Sequence, residues 1–335
     1  MDDISRKTRR STVTVGSFDG IHRAHQELLR LVRERAREQD AASVAVTFDP
    51  HPVAVLAPEK APKLLTPLPI KLELLERSGI DRLLILPFTL EFSRWSPERF
   101  VEEVIVKALR AETVFVGDNF HFGHRQTGTP QLLEALGRRW GFRTEILKKM
   151  YLRQHIVSSS QIRVLLEQGN VTLANRLLGY AFGVRGPIEP GLGIGRRETV
   201  PTFNLDAASI LVPKPGVYIT LARLGSAESE RSRAARLSPP IASVTNVGHR
   251  PTFGERALGV ETHLLEPCRG EAPAWLEVRF LYRLRDERKF ESAEKLRQQI
   301  MLDIRRARTY FRRLRGYRIS LSVFDPQSFT PDTSR

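Results

Sequence analysis

One cysteine stands in the 335 residues, Cys268. That excludes an internal disulfide and any multi-cysteine metal centre; thiolate-based cofactor chemistry and an oxidising secretory setting are not expected. No apolar run approaches the ~20 residues of a membrane span. The opening "MDDISRKTRR" lacks the apolar stretch of a signal peptide, so a cytoplasmic protein with no membrane association is expected. No internal repeat is present. Acidic residues are in the minority: 53 Lys and Arg against 38 Asp and Glu give a net charge of +15. Such an excess favours anionic partners. Residues 283–318 alone hold 13 basic and 5 acidic residues, a pattern that a solvated helix face also produces.

Through the first half, strand-like runs alternate with helical periodicity. The strands are expected at 12–16, 43–48, 82–88, 113–117 and 143–148. Helices are expected near 22–38, 67–78, 97–109, 130–140, 159–168 and 171–178. Strand–helix alternation implies a parallel sheet covered by helices, with ligands at the carboxyl ends of the strands. From 183 to 282 the pattern becomes short β-like runs broken by Gly and Pro, read as an antiparallel sheet or barrel. A long helix near 289–313 closes it, with Leu296, Ile300, Ile304, Ala307 and Phe311 as its apolar stripe. The fold class is therefore α/β followed by β. The expected domains are 1–182 and 183–324, with 325–335 as a flexible Pro/Ser/Thr-rich tail.

The densest stretch is "VTVGSFDGIHRAHQELL" at 13–29. A strand ends at Gly16, a turn follows through Phe18 and Gly20, and a helix opens with His22 and His25. The first N–H groups of a helix lack internal partners and attract anions. Residues at i and i+3 share a face, so both imidazoles can point at one phosphate. The helix dipole is expected to lower their pKa values and bound phosphate to raise them. Two surface histidines that merely open a helix are the simpler alternative. A metal site fits less well, because the pair would need further ligands.

This string resembles the nucleotidyltransferase signature of the bacterial bifunctional riboflavin kinase/FAD synthetases. "TFDPHP" at 47–52, "VGDNFHFGHRQTG" at 116–128 and "VSSSQIRVLLEQGNV" at 157–171 are similar to further motifs of that family. The resemblance implies a Rossmann-like first domain that adenylylates FMN with ATP, giving FAD and pyrophosphate. It assigns ATP and its phosphates to Gly16, Phe18, Gly20, Ser158 and Ser159, and catalysis to His22, His25, Asn119 and Arg163. Ser158–Ser160 also suit a helix cap with Arg163 one turn in, a combination that clamps phosphates or simply starts a helix. Asn119 follows a strand end, where a side chain faces ligand or only a polar loop. Phe120 and Phe122 contact the flavin or fill core, with at least one expected in the core. His51 is either a turn residue or a site-lining one.

"GVRGPIEPGLGIGRRETVPTFNLD" at 183–206 is the second dense stretch. No Gly-Lys-Ser/Thr follows its glycines, which excludes a Walker loop. The amides around Gly191 and Gly195 can nonetheless cradle phosphate, with Arg196 beside them. The stretch resembles the riboflavin kinase flap and its Pro-Thr-Ala-Asn motif, with Phe203 in place of the small residue and Val200 in place of Gly. The resemblance assigns Mg²⁺ to Thr202 and Asn204. Strand alternation puts these two on one side and Phe203 on the other. "VETHLLE" matches the segment of the family's catalytic base, which falls on Glu261; a cross-strand ion-pair role is the alternative. His263 shares its strand parity. The expected activity is phosphorylation of riboflavin to FMN and adenylylation of FMN to FAD, with ATP as co-substrate and Mg²⁺ as metal. An FAD synthetase with an impaired kinase domain is the alternative, and a basic nucleic-acid-binding protein a distant one.

Overall fold

Each predicted strand of the first half becomes a strand of one sheet. The central strands (Ser11–Val15, Ala42–Asp49 and Ala111–Gly117) are apolar enough to be covered on both faces, whereas the edge strands (Arg82–Pro87 and Arg143–Leu147) are partly exposed. The computed structural model describes residues 10–189, 202–206, 210–226, 237–249, 258–267 and 272–316. It divides into two compact units, Met1–Ser159 and Ser160–Arg335. In chain order the first contains β1 (Ser11–Val15), α1 (Arg23–Glu38), β2 (Ala42–Asp49), α2 (Pro52–Leu56), α3 (Leu68–Arg77) and β3 (Arg82–Pro87). There follow α4 (Pro97–Phe100), continued by a π-helical stretch (Val101–Ala108), β4 (Ala111–Gly117), α5 (Pro130–Trp140), β5 (Arg143–Leu147), and a small hairpin of β6 (Tyr151–Leu152) and β7 (His155–Ile156). Next come α6 (Ser159–Glu167) and α7 (Val171–Leu178). The rest is β8 (Gly183–Pro187), β9 (Phe203–Asp206), β10 (Gly216–Gly225), β11 (Ile241–His249), β12 (Leu258–Leu264), β13 (Trp275–Arg285) and α8 (Ala293–Gly316).

The first sheet has the order β3-β2-β1-β4-β5 and is parallel throughout. Val13, Val15, Val44, Val46, Val114 and Val116 form the centre of its core. α1 covers the sheet because Leu28, Leu29, Val32 and Ala36 recur at helical spacing on one buried face. Each such Leu or Val contributes roughly 1.5–3 kcal/mol. The strand order reverses between β1 and β4, which pair directly. Loops leaving these two carboxyl ends diverge and open a crevice, the usual place for a ligand in such a sheet. The 16–22 turn follows β1 and the 118–129 loop follows β4. The topology therefore brings together two motifs about 100 residues apart.

The second sheet is antiparallel, ordered β8-β13-β10-β11-β12-β9. Its two edge strands meet through a bridge at Glu189 and Asn204, with the Glu189 N–H donating to the Asn204 carbonyl at 2.9 Å. That contact makes a nearly closed barrel. One face of the strands points inward and carries Tyr218, Val260, Leu205 and Phe280, all buried. Among these apolar residues, the hydroxyls of Thr220, Ser243, Thr245 and Thr262 bond one another in a chain at 2.7–3.0 Å. On the outer face α8 packs Ala307 against Val217, Ile219 and Val244. Its stripe lies as the periodicity predicts, while Arg305, Arg306, Arg308, Arg312 and Arg313 are exposed. α7 is fixed by Asn175, whose amide donates to the Phe280 carbonyl and accepts from the Phe182 N–H, both at 2.7 Å. Elsewhere on the barrel, buried Glu277 faces the guanidiniums of Arg279, Arg185 and Arg223. Burial alone would raise its carboxyl's pKa; the three cations outweigh it and hold the pKa below the ordinary value.

Candidate active sites

The 16–22 turn is held in a shape that few sequences adopt. Phe18, Gly20 and Ile21 all have left-handed backbone, with φ of 47°, 83° and 33°. Two of the three are not glycine, and such strain persists only where surrounding contacts impose it. Those contacts are specific. The buried Asp19 carboxylate accepts from the N–H groups of Leu65 and Thr66 at 3.2 and 3.0 Å. The Gly20 N–H donates to the Thr66 hydroxyl at 2.9 Å. The Ser17 carbonyl accepts from Lys71 Nζ at 2.8 Å, and the Ile21 carbonyl from Gln26 Nε2 at 2.8 Å. Gly20 needs to be glycine for its φ. Gly16 does not, since an added Cβ would only touch the Phe18 ring at 3.5 Å.

At the end of this turn α1 begins with His22 at its N-cap, and no side chain caps it. The His22 and His25 rings stack, 3.7 Å between centroids and 13° from parallel. Phe18, fully buried, sets its ring edge-on to His25 at 5.2 Å. Its side chain thus seats the histidine from behind. The pair is not a surface pair: His22 is 5% exposed, and the Nδ1 atoms of both rings are buried without a hydrogen-bond partner among the described residues. Buried polar atoms without partners are rare, and a functional role or a bound water or ion is their usual explanation. Burial lowers the pKa of His22 to about 4. His25 is pushed well below the ordinary histidine value by burial first, then by His22 and Lys71. Two neutral rings, each with one N–H to give, thus flank an uncapped helix start.

The remaining residues assigned to this site occupy different settings. The Ser159 hydroxyl donates to the Asp19 carbonyl at 2.8 Å, which ties Ser159 to the strained turn. Ser158 is partly buried just before Ser159, and Arg163 lies one turn along α6, partly buried. Asn119 is exposed in the loop after β4. Phe122 is a core residue, 8% exposed, stacked on Phe120 at 5.3 Å; Phe120 is partly buried against the same core. His51 caps α2 by accepting from the Val53 N–H at 3.3 Å. Sequence reading missed Lys71, which is 3% exposed under the turn. The signal was a lone cation among the apolar positions Ile70, Leu74 and Leu75 of α3.

On the barrel, register decides what meets what. Asn204 and Glu261 are direct cross-strand partners, and Glu261 is likewise opposite Asn246. Partners across an antiparallel pair project on one face, with Cβ atoms about 4.5–5.5 Å apart. Asn204, Glu261 and Asn246 therefore form one row, and Asn246 is an addition that sequence reading missed. Asn204 is 8% exposed and its Oδ1 is buried with no hydrogen-bond partner among the described residues. Glu261 is exposed and, among the described residues, makes no ion pair. Phe203 pairs with Thr262 and so faces the opposite side, as alternation requires. Thr202 is exposed just before β9. Gly191, Gly195, Arg196 and Val200 lie outside the described residues.

The FAD synthetase family profile matches residues 4–161, and the riboflavin kinase profile matches 178–311. The bifunctional riboflavin kinase/FMN adenylyltransferase of Escherichia coli K12 is 32% identical over 299 residues, 89% of this chain and 92% of that protein. The chain belongs to the bifunctional riboflavin kinase/FMN adenylyltransferase family. The Pseudomonas fluorescens member is 34% identical over 90% of this chain and 93% of its own length. The Bacillus subtilis member is 30% identical over 93% and 96%. A solved chain from Streptococcus pneumoniae, described as a macrolide-efflux protein, shares the fold with a TM-score of 0.73 at 26% identity, covering 90% of this chain and 94% of that one. Among the described residues no helix is long and apolar enough to cross a membrane.

Both catalytic domains of the family are thus present, and the single-activity alternative loses its ground: Phe203 leaves the Asn204–Glu261 row intact. Burial of the histidine pair in the adenylyltransferase domain also has a cost at low pH. The unfolded chain titrates His22 near 6.5 and the folded chain near 4. Between those values the unfolded state binds more protons, so stability falls as pH drops through that window. The full loss for His22 alone is about 3 kcal/mol. Urea midpoints at pH 7 and pH 4.5 should show it, and His22→Asn should flatten the dependence. An unflattened curve in that variant would assign the pH effect to other groups.

Proposed function

We propose that the two reactions are divided between two constellations of side chains, with 1–182 as the FMN adenylyltransferase module and 183–324 as the riboflavin kinase module. In the first, an oxygen of the FMN phosphate attacks the α-phosphorus of ATP and pyrophosphate leaves. The attacker is already an anion, so no general base is needed. The task is to stabilise charge passing to pyrophosphate, which preorganised donors do best. His22, His25 and the first N–H groups of α1 fill that role, with Ser158 and Asn119 completing the cradle and Phe120 beside the flavin. The observation that carries this reading is the stacked, neutral histidine pair whose buried Nδ1 atoms lack partners. In the second module, the riboflavin 5′-hydroxyl attacks the γ-phosphorus of ATP, ADP leaves, and Glu261 takes the proton. The Asn204 Oδ1 and the Thr202 hydroxyl are oxygen donors of the kind a hard cation selects, and Asn204 Oδ1 is buried without a partner. Those two residues would hold Mg²⁺, which supplies charge neutralisation for the phosphates when bound.

A cytoplasmic compartment belongs to this reading, since its substrates are ATP and free flavins. Incubation with riboflavin, ATP and Mg²⁺, followed by chromatography, should give FMN and then FAD. Chelation of Mg²⁺ should stop FMN formation. FAD appearing only from supplied FMN, with riboflavin untouched in the presence of Mg²⁺, would refute the kinase half.

A further inference from the structure

A buried ammonium group is expensive in an apolar surround, and replacement by a hydrocarbon side chain is often neutral or stabilising. Lys71 is such a group: 3% exposed, on a helix whose other buried residues are Ile70, Leu74 and Leu75. Its Nζ donates to the Ser17 carbonyl at 2.8 Å, where the Thr47 hydroxyl also donates at 3.3 Å. Ser17 lies one residue before the strained segment that ends in the histidine pair. The bond therefore acts on the backbone that aims His22 and His25. Asp19 in the turn and Asp49 at the end of β2 act on Lys71, and Arg23 stands in the first turn of α1. Asp19 is already engaged by Leu65 and Thr66. Burial lowers the pKa of Lys71 below the ordinary lysine value, while Asp19 and Asp49 act in the opposite sense and favour its charged form. The charges that act on His25 are those of His22 and Lys71.

We propose that Lys71 is a positioning residue for adenylyl transfer: it fixes the Ser17 carbonyl and sets a positive charge beneath the histidine pair. That charge adds to burial and to His22 in disfavouring the protonated form of His25. An arriving triphosphate then offsets the field and meets a ring already aligned to donate. The inference rests on the assignment of the pair to the phosphates of ATP.

Lys71→Met and Lys71→Arg test it in the full-length enzyme, with riboflavin phosphorylation as the measure of intact folding. Loss of a group that orients a functional residue typically costs about 10–100-fold. Lys71→Met should lose that much in kcat/KM for FAD formation from FMN, with the kinase rate unchanged. The imidazole resonance of His25, assigned by its absence in His25→Ala, should titrate closer to the ordinary ~6.5 in Lys71→Met. Lys71→Arg should retain the low titration and recover most of the rate. Should Lys71→Met fail to fold, Lys71→Gln replaces it in the same two measurements. An unmoved His25 titration in the neutral variant overturns the proposal, as does a Lys71→Arg enzyme as slow as the neutral one. Failure of the underlying assignment looks different: His25→Ala would then leave FAD formation intact.

Discussion

His25→Ala is expected to lower FMN adenylylation by on the order of 10²-fold while leaving riboflavin phosphorylation unchanged. The size follows from where the ring sits. It is stacked on His22, backed by Phe18, and set in a turn whose amides and carbonyls are tied to Thr66, Lys71 and Gln26. A donor held this way does not reorganise when charge develops, so its contribution is realised in the transition state rather than in substrate binding. The loss should therefore appear mainly in kcat, with a smaller change in KM for ATP. Both rates can be followed in one preparation by chromatography of riboflavin, FMN and FAD. Equal loss of both activities would show that the histidine supports the whole molecule and not one reaction.

The reciprocal expectation concerns Glu261. Glu261→Gln should lower FMN formation by roughly 10²–10⁴-fold, the range for loss of a positioned general base, and leave FAD formation from supplied FMN intact. The substitution preserves shape and the cross-strand pairing with Asn204 and Asn246, and removes only the ability to accept a proton. Because Glu261 is exposed and makes no ion pair among the described residues, stability should be unaffected. A kinase rate equal to that of the parent enzyme would remove Glu261 from the mechanism. Together the two variants form a double dissociation that a single shared site cannot produce.

Much of this was legible before any coordinates. The alternation of β-branched runs with amphipathic helices specifies a parallel sheet: Val13, Val15, Val44 and Val46 line one face, and α1 covers the sheet with Leu28, Leu29 and Val32. The shift to short runs after 183 specifies antiparallel strands. Local motifs were equally readable: a glycine turn into a helix, hydroxyls before α6, and a Thr-x-Asn alternation opposite a carboxylate strand. What local patterns could not supply was burial. His22 and His25 read as a helix opening, and their neutrality comes from enclosure by residues such as Phe18 and from the nearby Lys71. Phe120 and Phe122 were indistinguishable by sequence, whereas packing puts Phe122 in the core. Ser159 read as a cap or phosphate ligand, yet its hydroxyl is spent on the Asp19 carbonyl 140 residues away.

By itself, then, the amino-acid sequence determined the two fold classes, their order and the residue types at each candidate site, because periodicity and turn chemistry act over a few residues. The tertiary structure alone decided which distant groups face one another. It set the strand order that opens a crevice beside β1, the register that puts Asn204, Glu261 and Asn246 in one row, and the lysine beneath the strained turn. These depend on contacts between segments far apart in the chain, and desolvation, which sets the protonation of the histidine pair, exists only once those segments have packed.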